Sequence, residues 1–265
     1  MSALAACACA GASLVLGFAL APARALAQEE TKLGWQLFIG GGARLGATQR
    51  STNLALTSGR WSALPGAVGE GQGGFGVTIY DVTLDLHFQG SGYSLAGPGA
   101  REDALSVSST AIGVELGYRG RAGRFVTLNP FVGIGTTDTS LCFFGVPSED
   151  SDPTRPPFQQ VLSNPGRGTC LESSDVALDL GVSALASVPF ALGATARGER
   201  IMGHLGLGPR FVFTLPLTFT REWSATGRAD APIALPPFEG PVAPLGGAYV
   251  GVDVVFRGGL EDVPR

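Results

Sequence analysis

From Tyr80 to Phe88 the chain alternates strictly between apolar and polar side chains, reading Tyr-Asp-Val-Thr-Leu-Asp-Leu-His-Phe. Because successive side chains of a β-strand point to opposite faces, this stretch has one apolar face and one polar face. Similar alternation recurs near residues 35, 105, 125, 176, 201 and 248. The repetition predicts an all-β protein built from a single closed sheet. An apolar outside around a polar inside is typical of a barrel that crosses a membrane.

The first 27 residues have the pattern of an export signal. Residues 3–23 are almost wholly apolar or small, and Ala25-Leu26-Ala27 forms a small-x-small cleavage site before the polar residues 28–30. We expect cleavage after Ala27, leaving residues 28–265 as one barrel domain with extracellular loops and a short C-terminal tail. The alternative is an uncleaved membrane anchor, since the apolar run is long enough to span a bilayer.

Composition narrows the classes of partner. The net charge is -4 and the 18 Lys and Arg residues are scattered, so nucleic acid is not expected as a partner. The 40 glycines and the low charged fraction of 15% suit closely packed strands joined by loops. The glycine-rich segments 40–42 and 71–74 lack a following helix, so neither a phosphate-binding loop nor a cofactor is expected.

Cys142 and Cys170 are the cysteines that remain once the export signal is removed. We expect them to form a disulfide in an oxidising compartment, with two free thiols as the alternative. Neither has His or Cys neighbours at the spacing of metal ligands, so no metal site is expected.

The alternation predicts eight strands, over residues 35–45, 52–64, 76–90, 105–118, 125–136, 176–188, 201–219 and 248–257. The second strand has the weakest pattern. We include it because, without it, the longest connection, which contains both cysteines, would lie in the periplasm. With eight strands, the turns at 65–73, 119–124 and 189–200 lie on the periplasmic side with both termini. The longer connections at 91–104, 137–175 and 220–247 then lie outside the cell.

These features resemble a known family. The resemblance is based on the export signal, the eight alternating strands, the segment Asn129-Pro130-Phe131-Val132-Gly133-Ile134-Gly135 and a last strand ending in Phe256. Together they are similar to the small eight-stranded outer-membrane barrels such as OmpA, OmpX and OmpW. The resemblance implies an antiparallel up-and-down transmembrane barrel in the outer membrane of a Gram-negative bacterium. We expect it to be a monomer surrounded by outer-membrane lipids.

On the polar faces of the predicted strands, charged side chains point toward the barrel axis. These residues are Arg44, Asp81, Asp85, Glu115, Asp179, Arg210, Asp253 and Arg257, joined by the two histidines, His87 and His204. Inside a narrow barrel such groups are costly unless they are paired, so we expect an ion-pair network that fills the lumen. The alternative is a narrow conduit whose charges select small solutes.

The sequence thus predicts a structural wall component of the outer membrane, with surface loops that offer sites for external ligands. Three alternatives stay open: a channel or transporter for small or apolar solutes, a soluble lipocalin-like barrel with its faces reversed, and a barrel enzyme that acts on lipid A. Such an enzyme needs a nucleophilic Ser beside a His and a carboxylate. Neither His87 nor His204 has a Ser within two residues on the same face, so we expect no enzymatic activity and no catalytic residues.

Overall fold

The computed structural model describes residues 31–46, 50–97, 104–122, 125–145, 154–163, 168–196, 199–218, 221–227, 237–243 and 246–261. Its strands are β1 (Thr31–Gly46), β2 (Ala67–Ile79), β3 (Val82–Ala96), β4 (Ala104–Tyr118), β5 (Gly120–Arg121), β6 (Val126–Phe144), β7 (Thr169–Ala194), β8 (Arg200–Pro216), β9 (Glu222–Gly227), β10 (Phe238–Glu239) and β11 (Gly247–Glu261). Two short helices are α1 (Arg50–Ser58) and α2 (Pro157–Ser163). In this part of the chain, no helix has the length and apolarity of a membrane span. The expected export signal lies outside the described residues, so the domain division stays a prediction.

Eight strands close into an antiparallel barrel, in the order β1, β2, β3, β4, β6, β7, β8 and β11, and β11 pairs with β1. A line of register partners that starts at Trp35 and crosses every strand returns to β1 at Leu45, ten residues further along. With strands about 4.8 Å apart and a rise of about 3.3 Å per residue, this stagger corresponds to a tilt of about 40°. The predicted eight-stranded antiparallel barrel is confirmed.

The two ends of the barrel differ in their connections. The described chain begins and ends at one end, which also carries the short turns after β2, β4 and β7, and we call it the terminal end. The opposite end carries four connections, and three of them are long and contain α1, α2, and β9 with β10; we call it the loop end. The predicted short turns at 119–124 and 189–200 therefore lie at the terminal end as expected, whereas residues 65–73, predicted as a third short turn of that end, lie at the loop end.

The predicted strand over residues 52–64 is wrong. Residues 50–58 form α1, in which Thr52 and Leu56 are buried and Leu54 is exposed. Positions four residues apart share one face of a helix, whereas in a strand Leu54 and Leu56 would share a face. The second barrel strand is Ala67–Ile79, so the predicted turn at 65–73 lies largely within a strand.

The predicted strand over residues 76–90 is a hairpin. β2 ends at Ile79, Tyr80 and Asp81 form the turn, and β3 begins at Val82. Tyr80 has a φ of 54°, the left-handed conformation that tight two-residue hairpin turns use. The turn is hidden in the sequence because it contains no Gly or Asn and because Tyr80 continues the apolar phase of β3.

The other predicted strands are confirmed, although several are longer than predicted. β6 continues to Phe144, β7 begins at Thr169, and β11 continues to Glu261, which shortens the expected C-terminal tail. The predicted strand for β6 ends too early, and that for β7 begins too late, because the outward side chains become polar near Thr136 and Ser174.

The apolar faces of the barrel strands point away from the axis. Many large apolar side chains on this face, such as Ile39, Leu84 and Leu116, are 49–68% exposed, whereas polar lumen residues such as Asp85, Glu115 and Asp253 are less than 5% exposed. A soluble lipocalin-like barrel requires the opposite arrangement, so that alternative is contradicted.

Glycines on the lumen face make room for polar side chains of neighbouring strands. A Cβ atom at Gly113 would lie 2.6 Å from Cε1 of His87 and 2.9 Å from the carbonyl oxygen of Ile134. By contrast, a Cβ atom at the outward Gly71 would have nothing within 4 Å. The lumen glycine is therefore required by packing, and the outward glycine is not.

We expect Gly113→Ala to lower the free energy of unfolding by about 1–3 kcal/mol, because the added methyl group overlaps His87 and the backbone of β6. The matched control Gly71→Ala should be neutral or stabilising by less than about 1 kcal/mol, since Ala restricts the unfolded chain. Urea unfolding in lipid vesicles, followed by tryptophan fluorescence, measures both changes. Equal effects of the two substitutions would contradict the packing role of Gly113.

Candidate functional site

Arg210 of β8 lies at the centre of the lumen. Its guanidinium forms an ion pair with Glu115 of β4 and lies 3.8 Å from Oδ2 of Asp253 on β11. The rings of Phe38 and Phe131 lie near the same guanidinium, with their centroids 5.5 and 4.2 Å from its carbon. Two carboxylates and two aromatic faces thus compensate this buried cation.

His87 of β3 lies between two carboxylates. Its Nδ1 is 3.3 Å from Oε1 of Glu115, and its Nε2 is 3.6 Å from Oδ2 of Asp179. These three side chains are close enough for a metal ion to bridge them. However, the guanidinium of Arg210 already pairs with Glu115 and would repel a cation there. We therefore assign the three side chains to an ion-pair network.

Arg44 of β1 forms the part of the network nearest the loop end. Its Nε and Nη2 donate to the two carboxylate oxygens of Glu70 at 2.5 and 2.9 Å, a bidentate arrangement. Nη2 also donates to Gln89, and Nη1 donates to Thr214. Sequence reasoning missed Glu70 because residues 65–73 were predicted to form a turn.

Glutamines connect charged groups that do not touch. Gln36 donates from Nε2 to Oδ1 of Asp85 at 2.5 Å, and its Oε1 accepts from Nε of Arg257 at 3.2 Å. Gln72 donates to Oδ1 of Asp253 at 2.5 Å. The Gln36 amide thus satisfies an acid with its donor and a base with its acceptor, whereas the Gln72 amide satisfies an acid.

The structure brings most of the predicted charged residues into the lumen. These are Arg44, Asp85, Glu115, Asp179, Arg210, Asp253 and Arg257. Asp81 is the exception, because the turn between β2 and β3 removes it from the strand and leaves it partly exposed. Its carbonyl oxygen there accepts a hydrogen bond from the backbone N–H of Arg119. The prediction that Asp81 lies on a barrel strand is therefore wrong, since it lies in the turn at the terminal end.

The two histidines lie in different places. His87 is 1% exposed within the network, whereas His204 is partly exposed near the terminal end of β8. The sequence predicted that both would face the lumen but could not distinguish these depths.

Toward the loop end, the inward face of the barrel changes from polar to apolar. Leu105 and Val107 of β4, Leu141 and Phe143 of β6, and Leu171 of β7 are buried there. The same strands carry polar residues on their outward face at this level, so the sense of the alternation is inverted.

Side chains from the long connections complete an apolar cluster, which we call the cap. Its members are Leu56, Trp61, Leu64, Leu105, Val107, Leu141, Phe143, Phe158, Val161, Leu162, Leu171, Trp223, Ala225 and Ala243. Trp61 packs edge-on against Phe143 and donates from Nε1 to the carbonyl oxygen of Leu162 at 2.9 Å. Phe158 packs against Trp223 in the same way. Each fully buried large apolar side chain contributes about 1.5–3 kcal/mol, so the cap is a stable closure of the loop end.

The predicted disulfide between Cys142 and Cys170 is present. The two residues are direct register partners on β6 and β7, next to the cap. The bond closes the connection that contains α2, and loop entropy of this kind is worth about 3–4 kcal/mol in a model-dependent estimate.

A cavity of about 50 Å³ separates the ion-pair network from the cap. Polar side chains, including Arg44, Glu70, Gln89 and Thr139, line it together with Tyr93. This volume accommodates a few water molecules, whereas ligand pockets are commonly several hundred Å³.

Comparison with solved structures finds outer-membrane proteins at low TM-score and low sequence identity. No family model and no curated protein sequence matches the chain. Ail of Yersinia pestis, solved with the heparin analogue sucrose octasulfate, matches with a TM-score of 0.40 and 9% identity over 87% of this chain and 99% of Ail. A major outer membrane protein of Thermus thermophilus matches with a TM-score of 0.39 and 12% identity over 85% and 98%. The outer membrane protease OmpT of Escherichia coli matches with a TM-score of 0.31 and 9% identity over 89% and 98%.

These similarities are too weak to transfer the properties of the compared proteins to this chain. We therefore infer the function from features of this chain itself, namely the barrel surface, the lumen and the cap.

Arg210→Met alone should lower the free energy of unfolding by about 3–5 kcal/mol, because it leaves two buried carboxylates without their cation. The double variant Arg210→Met/Glu115→Leu should lose less than the sum of the two single variants, since it removes both partners. We expect a coupling free energy of at least about 1 kcal/mol from a double-mutant cycle measured by urea unfolding in vesicles. Strict additivity would show that the pair does not organise the lumen.

Proposed function

We propose that the chain is an integral outer-membrane β-barrel protein that serves as a structural wall component with a closed lumen. The observation that carries this proposal is the apolar belt around the outside of the barrel. On the described strands, no charged residue faces outward between the level of Trp35 and the level of Leu45. Ten residues at the strand tilt derived above give a belt about 25 Å tall, which matches the apolar band of outer-membrane barrels.

The two rims of the belt support a membrane location. Aromatic side chains surround its lower rim at the terminal end, namely Trp35, Tyr80, Tyr118, Phe125 and Phe256. Beyond the upper rim, the outward side chains become polar, as at Thr110, Asp138 and Ser174. Aromatic rings favour the membrane interface, and long connections favour the cell exterior. The terminal end is therefore assigned to the periplasm and the loop end to the exterior.

Two barriers in series support a closed lumen. The network around Arg210 fills the barrel at the level of the belt, and the cap covers its loop end. A channel or a transporter for small solutes would need a path through both. The cavity between them is too small to act as a solute site.

The location of the histidines argues against an enzyme that acts on lipid A. His87 lies below the cap and between two acids, so a lipid in the outer leaflet does not reach it. His204 lies at the terminal end, away from the outer leaflet. We infer that neither histidine is a catalytic residue.

The same arrangement suggests how the protein contacts its surroundings. Outer-membrane lipids cover the belt of a monomer. The cap, fixed by packed aromatic rings and by the Cys142–Cys170 bond, offers a rigid extracellular surface for external ligands.

Planar-bilayer recording of the purified, refolded chain tests the closed lumen. We expect no steady unitary conductance, while a general porin recorded in the same bilayers as a positive control conducts. Steady openings would favour the conduit. Fractionation with a heat-modifiability gel tests the location, and recovery of the chain in the soluble periplasmic fraction would refute the membrane assignment.

A further inference from the structure

The terminal end of the lumen contains a buried arginine without a direct acidic partner. Arg257 of β11 is 7% exposed, and its Nε donates to Oε1 of Gln36 at 3.2 Å. Within the described part of the chain, no Asp or Glu oxygen lies within 4.0 Å of this guanidinium. A guanidinium carries several N–H donors and a permanent charge, and burying such a charge without a counter-ion is costly.

Asp85 compensates Arg257 only indirectly. Asp85 attracts it, but the side chain of Gln36 stands between the two groups and bonds to both. This contrasts with Arg44 and Arg210, each of which contacts a carboxylate directly.

Two further arginines add positive charge at this end. Arg119 donates from Nη2 to Oγ1 of the fully buried Thr78 at 2.8 Å, so its guanidinium reaches into the lumen below the network. Arg121 follows in β5 and is partly exposed. Both side chains carry the same charge as Arg257, so neither compensates it.

The strand register explains why these groups converge. Across β1, Gln36 faces Arg257 on β11, and Gly34, two residues earlier, faces Thr78 on β2. Gly34 has no side chain to separate the groups on either side of it. On the other side of β11, the register partner of Arg257 is His204, which adds a further nitrogen donor to this end.

We propose that the terminal end of the lumen binds a phosphate-type oxyanion through Arg257, Arg119 and Arg121. Guanidinium groups bind phosphate oxygens through paired N–H donors, and a bound anion would supply Arg257 with a direct counter-ion. The anion is either free inorganic phosphate or the phosphate group of a phospholipid at the inner rim of the belt. The site goes beyond the proposed wall function and does not depend on it, because it requires only the lumen geometry.

Calorimetric titration of the refolded full chain in dodecyl maltoside, which contains no phosphate, tests the site. We expect inorganic phosphate to bind, with chloride at equal ionic strength as the reference. Arg257→Gln should weaken phosphate affinity by about tenfold or more, because it removes the buried, paired donors. The matched control Arg200→Gln removes an exposed arginine at the same end and should change the affinity by less than about twofold.

Two additions keep the test decisive. Arg119→Gln gives a second reading should Arg257→Gln fail to fold, and it should also weaken binding. Short-chain phosphatidylglycerol added as a competitor distinguishes the sources, since binding of the lipid but not of inorganic phosphate identifies a headgroup as the ligand. Absence of binding by both probes overturns the proposal, as does equal affinity in Arg119→Gln and Arg200→Gln.

Discussion

The compensation of buried charge around Arg210 is the interaction on which the rest of the barrel depends. Glu115 and Asp253 face it from β4 and β11, and His87 extends the network to Asp179 of β7. These contacts allow a narrow ring to enclose charged groups, and glycines such as Gly113 make space for them. With the polar faces satisfied inside, the apolar faces are left to cover the outside.

The barrel uses opposite alternations at its two levels. Within the belt, apolar residues face outward and charged residues face inward, whereas at the loop end Leu105, Leu141 and Leu171 face inward as members of the cap. The inversion occurs where the outward side chains become polar, near Thr136 and Ser174. In the proposed membrane location, a change of surroundings from lipid to water explains why one continuous strand reverses its sense, since the apolar face follows the less polar environment.

The strands of the belt could be predicted from the sequence because each residue there faces one of two contrasting environments, as between Leu84 and Asp85. The first half of β2 could not, since residues 67–73 are rich in glycine and lack apolar alternation. The cap could not be predicted because its contacts join distant segments, such as Trp61 with Leu162. The surroundings of Arg257 depend on Arg119, which enters the lumen from outside the strand β4. Charged residues of the lumen could be identified because they alternate with apolar residues along each strand. Which of them pair with one another could not be predicted, because pairing depends on the register between strands.

The central claim is that the outward face contacts lipid, and paired leucine substitutions test it most directly. Leu116 lies exposed within the belt, and Leu54 lies exposed on α1 at the loop end. In lipid vesicles, Leu116→Arg should lower the free energy of unfolding by about 2–4 kcal/mol, whereas Leu54→Arg should change it by less than about 0.5 kcal/mol. Equally small effects at the two positions would contradict the account, because they would mean that both side chains face water.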